Sequence, residues 1–261
     1  MTGAFAGTGV RIAVLGFGEA GGEIARDLVA AGADVRGFDP VAPAPPGVLA
    51  RNDDADAVRD AALVLSVNSS HDALPALEAS LPALAPGTIW ADLNTAAPSV
   101  KAAMVELAPG VLVADVALMA PVPGKGLRTP MVVSGPGAGA YARILGGLGA
   151  DVTVQPGPAG EAISRKLLRS VFYKGLAAAV VEALAAAEKA GCEDWLRANI
   201  SAELAGFDDR TIDRLVDGTH RHARRRHDEM TAAADQLTGL GVPPRIASAA
   251  RDLLLSLKDE S

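Results

Sequence analysis

The stretch Val10–Leu28, which reads VRIAVLGFGEAGGEIARDL, constrains the fold more than any other part of the chain. Arg11–Leu15 is a short apolar run that predicts a buried strand. Gly16, Gly18 and Gly21 follow it directly in GxGxxG spacing, and the residues after them have the composition of a helix. A strand, a glycine-rich turn and a helix in this order are typical of a turn that binds the diphosphate of a dinucleotide.

The three glycines have different expected roles. Gly16 permits the tight turn, Gly18 lets the backbone approach a pyrophosphate, and Gly21 allows the helix to pack closely on the strand. The first turn of the helix offers unpaired N–H groups and a positive dipole end, both of which favour an anion. We therefore expect the cofactor to contact every residue of this turn, namely Gly16, Phe17, Gly18, Glu19, Ala20 and Gly21.

Asp39 supplies the acidic residue that such a turn requires about twenty residues further on. It follows a second predicted strand, and its carboxylate can accept hydrogen bonds from an adenosine ribose while repelling a 2′-phosphate. The loop 40–50 contains no Lys or Arg, and Arg36 and Arg51 are the only nearby cations. The sequence thus predicts NAD rather than NADP, although Asp39 before Pro40 also fits a residue that only shapes a turn.

Composition limits the classes of partner. The net charge of −7 and the isoelectric point near 5.1 argue against nucleic acid and anionic membrane surfaces. Cys192 is the only cysteine, which excludes an intrachain disulfide and a multi-thiolate metal site. The start of the chain has no secretion signal, and Glu182 interrupts the apolar stretch 176–187. We expect a cytoplasmic protein without a metal or a membrane span.

The alternation of short apolar runs with helical segments predicts a Rossmann-type doubly wound sheet in residues 1–157. The predicted strands are Arg11–Leu15, Asp34–Phe38, Leu63–Val67, Thr88–Asp92, Val111–Val116, Pro130–Ser134 and Asp151–Val154. A segment rich in Gly and Pro, 155–160, then precedes a long helix predicted at Glu161–Ala190. Further helical patterns follow, so residues 158–261 are expected to form a small all-α domain that starts with this interdomain helix.

Four stretches give the chain a wider resemblance: GFGEAG from Gly16, DLNTAAP from Asp92, DVALMAPVPGKGLRTP from Asp115, and GEAISRKLLRSVFYKG from Gly160. With these motifs the chain resembles the β-hydroxyacid dehydrogenase superfamily over nearly its whole length. Within that superfamily it is similar to the 6-phosphogluconate-dehydrogenase-like NAD-binding proteins with a short helical C-terminal domain, and HARRRHDEM from His222 fits the same branch.

The resemblance implies a catalytic lysine near the start of the interdomain helix, which corresponds to Lys166. Such a lysine removes the hydroxyl proton of an alcohol as hydride leaves carbon. Ser170, one turn further on, stands where the family commonly has asparagine, and it is expected to contact substrate. Lys174 lies about 12 Å from Lys166 along the helix axis and is the alternative, either as catalyst or as a grip on the far end of the substrate. Lysines on an amphipathic helix also serve simply to solvate its polar face.

Polar residues follow two predicted strands at the sheet edge where open α/β folds bind ligands. Asn68 and Asn94 are expected to contact the cofactor and Thr95 the substrate, although all three are also common turn formers. The resemblance adds a substrate loop at 119–126. Its candidate residues are Pro121, Val122, Pro123 and Gly124, in a segment where many relatives have Ser-Gly-Gly.

We therefore expect an NAD(P)-dependent oxidoreductase that transfers hydride between a nicotinamide cofactor and a small hydroxylated, acidic metabolite or its carbonyl form. Two alternatives stay open at this point: a non-catalytic dinucleotide-binding sensor or partner protein, and an imine reductase-like enzyme. A domain of about 100 residues is small for a core of its own, so we also expect a homodimer formed through the helical C-terminal domain.

Overall fold

The computed structural model describes residues 9–258, and the chain divides into two compact units between Arg169 and Ser170. The sequence placed this boundary earlier, between residues 157 and 158. The difference arises because the first turns of the long helix that begins at Glu161 pack on the sheet, where Ala162 and Ile163 are fully buried.

In the described part of the chain, eight strands form one sheet in the order β3-β2-β1-β4-β5-β6-β7-β8. The strands are β1 Arg11–Leu15, β2 Asp34–Phe38, β3 Leu49–Ala50, β4 Leu63–Ser66, β5 Ile89–Asp92, β6 Leu112–Leu118, β7 Met131–Ser134 and β8 Val152–Val154. The seven predicted strands are confirmed, with ends that differ by one or two residues at most. The sequence missed β3, because two residues are too few to show a periodic pattern.

The strand pair β6 and β7 is antiparallel, whereas every other neighbouring pair is parallel. The alternation of strand and helix that the sequence predicts is broken here. Only a short 3-10 helix, Gly126–Arg128, lies between these two strands, and a parallel pair would need a longer crossover.

Helices cover both faces of the sheet in the first unit: α1 Glu19–Ala30, α2 Asp54–Val58, α3 Ala73–Ser80, α4 Pro98–Leu107 and α5 Ala138–Gly147. On one face, Ile24 and Leu28 of α1 pack in a core with Tyr141 of α5. On the other face, Leu77 of α3 and Met104 of α4 share a second core. The two cores give the three-layer α/β/α arrangement of a doubly wound domain.

The strand order reverses at β1, because β2 lies on one side of it and β4 on the other. In open α/β sheets, ligands bind in the crevice outside the carboxyl ends of the strands at such a point. The turn that starts at Gly16 follows β1, and Asn68 follows β4. The fold therefore brings these two segments to one crevice.

The second unit contains the rest of α6 Glu161–Lys189, followed by α7 Glu193–Ala205, α8 Thr211–Arg221, α9 Ala223–Gly239 and α10 Arg245–Lys258. The predicted all-α character of this region is confirmed. Within the unit, the Glu182 carboxylate accepts hydrogen bonds from the backbone N–H groups of Ile246 and Ala247, each at 2.8 Å. Burial raises the pKa of Glu182, but these N–H groups outweigh it and the pKa is lowered. A charged carboxylate on α6 thus caps the start of α10.

The helix α6 is long and apolar enough to cross a membrane by length and composition, with a hydropathy of 1.4 over its most apolar window. Only 11% of that window is buried. Core helices of soluble proteins pass the same length and composition test, so the feature is weak evidence for a membrane protein. The low burial shows instead that α6 has apolar surface left to cover.

Candidate functional site

The turn after β1 has two glycines that the fold itself requires. Gly16 has φ of +96°, a left-handed conformation that favours glycine, and a Cβ there would lie 2.5 Å from both Val67 O and Asn68 Oδ1. A Cβ on Gly21 would collide with the carbonyl oxygen of Gly16. Both positions therefore allow α1 to pack closely against the sheet.

Gly18 differs from these two, because no heavy atom lies within 4 Å of the position a Cβ would take. The residue is exposed and precedes the first turn of α1, where no side chain caps the helix. Glu19 is also exposed and Ala20 half-buried, whereas the ring of Phe17 belongs to the hydrophobic core. An open approach to uncapped N–H groups at a helix start suits a phosphate.

Asp39 lies beside this turn and holds it to the end of β2. Its Oδ2 accepts a hydrogen bond from the Phe17 N–H at 2.6 Å, and its Oδ1 accepts from the N–H groups of Val41 and Ala42, each at 2.8 Å. Burial raises the pKa of Asp39, but the three N–H groups outweigh it and the pKa is lowered. The carboxylate is charged at neutral pH, and Oδ2 retains acceptor capacity for a ribose hydroxyl.

The two arginines near this carboxylate have partners of their own. Arg36 is buried and donates a hydrogen bond from Nη1 to the carbonyl oxygen of Arg59 at 3.0 Å. Burial is the main cause that lowers its pKa. Nη1 of Arg51 pairs with Asp56 at 3.7 Å. These contacts direct both cations to groups other than a cofactor phosphate.

The predicted residues at the ends of β4 and β5 meet at Ser66. Nδ2 of Asn94 donates to the Ser66 hydroxyl at 3.1 Å, and Nδ2 of Asn68 donates to the same oxygen at 3.4 Å. Asn94 is 3% exposed, and its Oδ1 is buried without a hydrogen-bond partner. The structure encloses this acceptor, so the Asn94 side chain faces Ser66 and Asp92 rather than the open crevice where the sequence predicts a cofactor contact.

Lys166 and Thr95 are brought together by the fold although 71 positions separate them. The Lys166 amine donates a hydrogen bond to Thr95 Oγ1 at 2.9 Å. Lys166 is half-buried on the first turns of α6, and Thr95 is exposed just after β5. The amine therefore lies at the same sheet edge as the two asparagines. Ser170 and Lys174 lie further along α6, in the part that belongs to the second unit.

The candidate substrate residues on the loop between β6 and β7 differ in their exposure to solvent. Pro121, Pro123 and Gly124 are exposed, whereas Val122 is 4% exposed and packs in the hydrophobic core. The side chain of Val122 thus anchors the loop and does not face solvent. A second anchor lies nearby, since the Asp27 carboxylate accepts a hydrogen bond from the Leu127 N–H at 2.8 Å.

A buried ionic cluster that joins α4 to β5 and β6 was not predicted from the sequence. Nζ of Lys101 lies 2.6 Å from Asp92 Oδ2 and 3.3 Å from Asp115 Oδ1, and all three side chains are fully buried. A signal was present, because Asp115 interrupts the apolar strand β6, Asp92 ends the apolar strand β5, and a buried carboxylate needs a partner. In residues 9–258, no group of three or more His, Cys, Asp or Glu is arranged to hold a metal ion.

Comparisons with known proteins bear on the family and the fold of the chain. Residues 187–257 match the family described as a domain of unknown function, DUF1932. The conserved protein MTH1747, of unknown function and described as similar in structure to 3-hydroxyacid dehydrogenases, has 26% identity and a TM-score of 0.61, over 95% of this chain and 98% of that one. The chain has the fold of the β-hydroxyacid dehydrogenase superfamily. The resemblance that the sequence motifs predict is thus confirmed.

Two enzymes share this superfamily fold at lower identity. A Streptomyces aurantiacus imine reductase has 20% identity and a TM-score of 0.77, over 96% of this chain and 95% of that one. An Aspergillus terreus reductive aminase, solved with NADPH and ethyl levulinate, has 16% identity and a TM-score of 0.77, over 97% of this chain and 95% of that one. No curated protein matches the chain.

Proposed function

We propose that this protein is a nicotinamide-dependent oxidoreductase that moves hydride between the cofactor and a small hydroxylated, acidic metabolite or its carbonyl form. The observation that carries the proposal is the Lys166 amine, which contacts Thr95 at 2.9 Å on the sheet edge that also holds the open turn at Gly18. The proposed proton-transfer group and the proposed phosphate-binding turn thus lie on the same unit of the fold.

The residues of the turn fit a dinucleotide, which supplies the hydride acceptor or donor when bound. Gly18 and the N–H groups after it would hold the diphosphate, and Asp39 would accept a hydrogen bond from the adenosine ribose. In alcohol oxidation, Lys166 in its neutral form takes the hydroxyl proton as the C–H bond breaks, and it returns that proton to oxygen in the reverse direction.

The substrate is proposed to carry an acidic group because of the cations on the β6–β7 loop. Lys125 and Arg128 are exposed on this loop beside Pro123 and Gly124. They can pair with a carboxylate or phosphate in place of the Ser-Gly-Gly segment of many relatives. In this arrangement Thr95 contacts the hydroxyl that reacts.

For the cofactor we propose NAD, on the basis of the charges around Asp39. The relative whose cofactor is named carries NADPH, so the comparison does not favour this choice. Within this chain, Asp39 presents a charged carboxylate, and Arg36 and Arg51 bind other groups. We expect NADH to bind at least about tenfold more tightly than NADPH in a fluorescence titration. Asp39→Asn, which removes the charge, should reduce the difference between the NADH and NADPH affinities. Tighter binding of NADPH to the unaltered protein would contradict the proposal.

The reaction class is tested by a screen that follows NADH formation or consumption. The panel contains small hydroxy acids, their keto and aldehyde counterparts, and pairs of carbonyl compounds with amines that form imines. Turnover of a hydroxy acid or its carbonyl form is the expected result. Turnover confined to imines would assign the imine reductase-like alternative. No turnover, combined with a change of oligomeric state on NADH binding, would assign the non-catalytic sensor.

We further propose that the protein is a soluble, cytoplasmic homodimer whose second copy covers the apolar surface of the helical unit. In that unit α7 has no buried residue, and Trp195 on this helix is 67% exposed. Ile212, Leu215 and Val216 form an exposed apolar stripe on α8. Isolated helices of this length are marginal in water, and patches of this kind mark association surfaces.

Light scattering is expected to give the mass of two 26.4 kDa chains. Ile212→Glu, which places a charge in the apolar stripe, should shift the protein to monomer, because burying an unpaired charge is costly. Asp217→Asn on the same helix is the matched control, since Asp217 is exposed, and it should leave the dimer intact. A monomer in the unaltered protein at micromolar concentration would end this proposal.

A further inference from the structure

The buried cluster around Lys101 has no part in the proposed proton transfer. It is connected, however, to the segments that carry Thr95 and Lys166. Lys101 is on α4 and is completely buried, as are Asp92 at the end of β5 and Asp115 in β6. Its amine also donates to the carbonyl oxygen of Asp92 at 2.8 Å. Ionic groups are costly to bury unless their ion pairs and hydrogen bonds are well formed. Movement of any one group would weaken these contacts, so the cluster holds its geometry.

One arm of the cluster leads to the end of β5. Oδ1 of Asp92 accepts a hydrogen bond from Nδ2 of Asn94 at 2.5 Å, and the same amide reaches Ser66 at the end of β4. Asn94 immediately precedes Thr95, the partner of Lys166. The pairing of Lys101 with Asp92 therefore fixes the backbone and side chain that lead into this contact.

The other arm leads to the start of α6. Oδ2 of Asp115 accepts hydrogen bonds from the N–H groups of Gly160 and Ile163, each at 3.0 Å, and from the Ser134 hydroxyl at 3.2 Å. The Ser134 oxygen in turn accepts from the Ala162 N–H at 3.0 Å. Asp115 thus caps the helix that carries Lys166, which follows Ile163 by three positions.

We propose that Lys101 is a positioning residue that sets the geometry of the Lys166–Thr95 pair from both sides, a proposal that rests on the function proposed above. The cluster has one cation and two carboxylates, and the N–H groups at the start of α6 offset the excess negative charge on Asp115. Through Asp92 it holds Asn94, the residue before Thr95, and through Asp115 it holds the first turn of α6. Lys101 touches neither cofactor nor substrate in this scheme.

The test uses the double variant Lys101→Met/Asp92→Asn in the full chain. Lys101→Met alone leaves Asp92 buried without its cation and risks unfolding, and the second change removes that charge. Met104→Ala is the matched control, because Met104 is fully buried on the same helix and outside the ionic cluster. It lowers stability without touching either arm.

Two readouts separate positioning from general destabilisation. The first is NADH affinity by fluorescence. The second is the ¹³C resonance of Lys166 in reductively methylated protein, assigned by its loss in Lys166→Arg. We expect the double variant to shift the Lys166 resonance while its NADH affinity stays within about twofold of the unaltered protein, because the turn at Gly18 and Asp39 are untouched. Met104→Ala should change neither the resonance nor the affinity at a comparable loss of thermal stability.

A folded double variant that binds NADH and has the Lys166 resonance of the unaltered protein would overturn the proposal. Equal changes in the double variant and in Met104→Ala would also overturn it, since they would show a purely structural role. If the unaltered protein does not bind NADH, the proposed function fails, and the Lys166 resonance still decides whether the cluster positions this amine.

Discussion

Replacing Lys166 by alanine is expected to slow hydride transfer by about 10²- to 10⁴-fold, the usual contribution of a positioned proton-transfer group. NADH affinity should change little, because the turn at Gly18 and the Asp39 carboxylate are untouched. Single-turnover measurement of NADH formation, with the hydroxy acid found in the screen, separates the chemical step from binding.

Two other lysines of α6 provide the controls for this prediction. Lys189→Ala changes an exposed lysine in the last turn of the same helix and should leave the rate unaltered. Lys174→Ala tests the alternative catalyst, and we expect it to raise KM for an acidic substrate without removing hydride transfer. Wild-type turnover in Lys166→Ala would contradict the assigned role, and a loss confined to Lys174→Ala would transfer that role.

The second large effect is expected at the glycine-rich turn, where two substitutions by alanine should act on different properties. Gly18→Ala should lower the free energy of unfolding by only about 1 kcal/mol or less, because a Cβ at this position meets open space and the main cost is a poorer N-cap for α1. The added methyl group would occupy the approach of the diphosphate, so NADH affinity should fall about 10- to 100-fold.

Gly21→Ala should instead damage the fold. Its Cβ would collide with the Gly16 carbonyl oxygen, and backbone atoms cannot yield as a flexible side chain does. We expect the free energy of unfolding to fall by about 3 kcal/mol or more. Chemical denaturation of both variants checks this contrast.

Gly147→Ala provides the control for the glycine pair, because it adds a methyl group on the exposed side of α5 with no heavy atom within 4 Å. It should leave NADH affinity as it is and slightly raise stability through better helix propensity. Equal NADH affinity in Gly18→Ala and Gly147→Ala would show that the diphosphate does not lie over the turn.

The local features of the fold could be predicted from the sequence because they depend on patterns within a few residues. The strand before Gly16, the turn and the long helix from Glu161 are all set by local composition and periodicity. The proposed catalytic role of Lys166 came from the resemblance, since a lysine on a helix face has no distinguishing pattern of its own. Its contact with Thr95 required the fold.

The features that the sequence did not predict depend on contacts between distant segments. The burial of Val122 in the core and the antiparallel pairing of β7 both arise from how the β6–β7 connection packs on the sheet. The ionic cluster around Lys101 was not predicted for the same reason, because its partners Asp92 and Asp115 lie on two other elements. Polar residues in apolar surroundings are visible in a sequence, whereas the identity of their partners is not.

A crystal structure with NADH and the substrate found in the screen would show whether the turn at Gly18 and the Lys166 amine have the proposed roles. We expect the diphosphate to lie over Gly18, Asp39 to accept a hydrogen bond from the adenosine ribose, and the Lys166 amine to lie within hydrogen-bond distance of the reacting substrate oxygen beside the nicotinamide ring. A nicotinamide ring bound elsewhere, with the Lys166 amine out of reach of the substrate oxygen, would contradict the proposed roles.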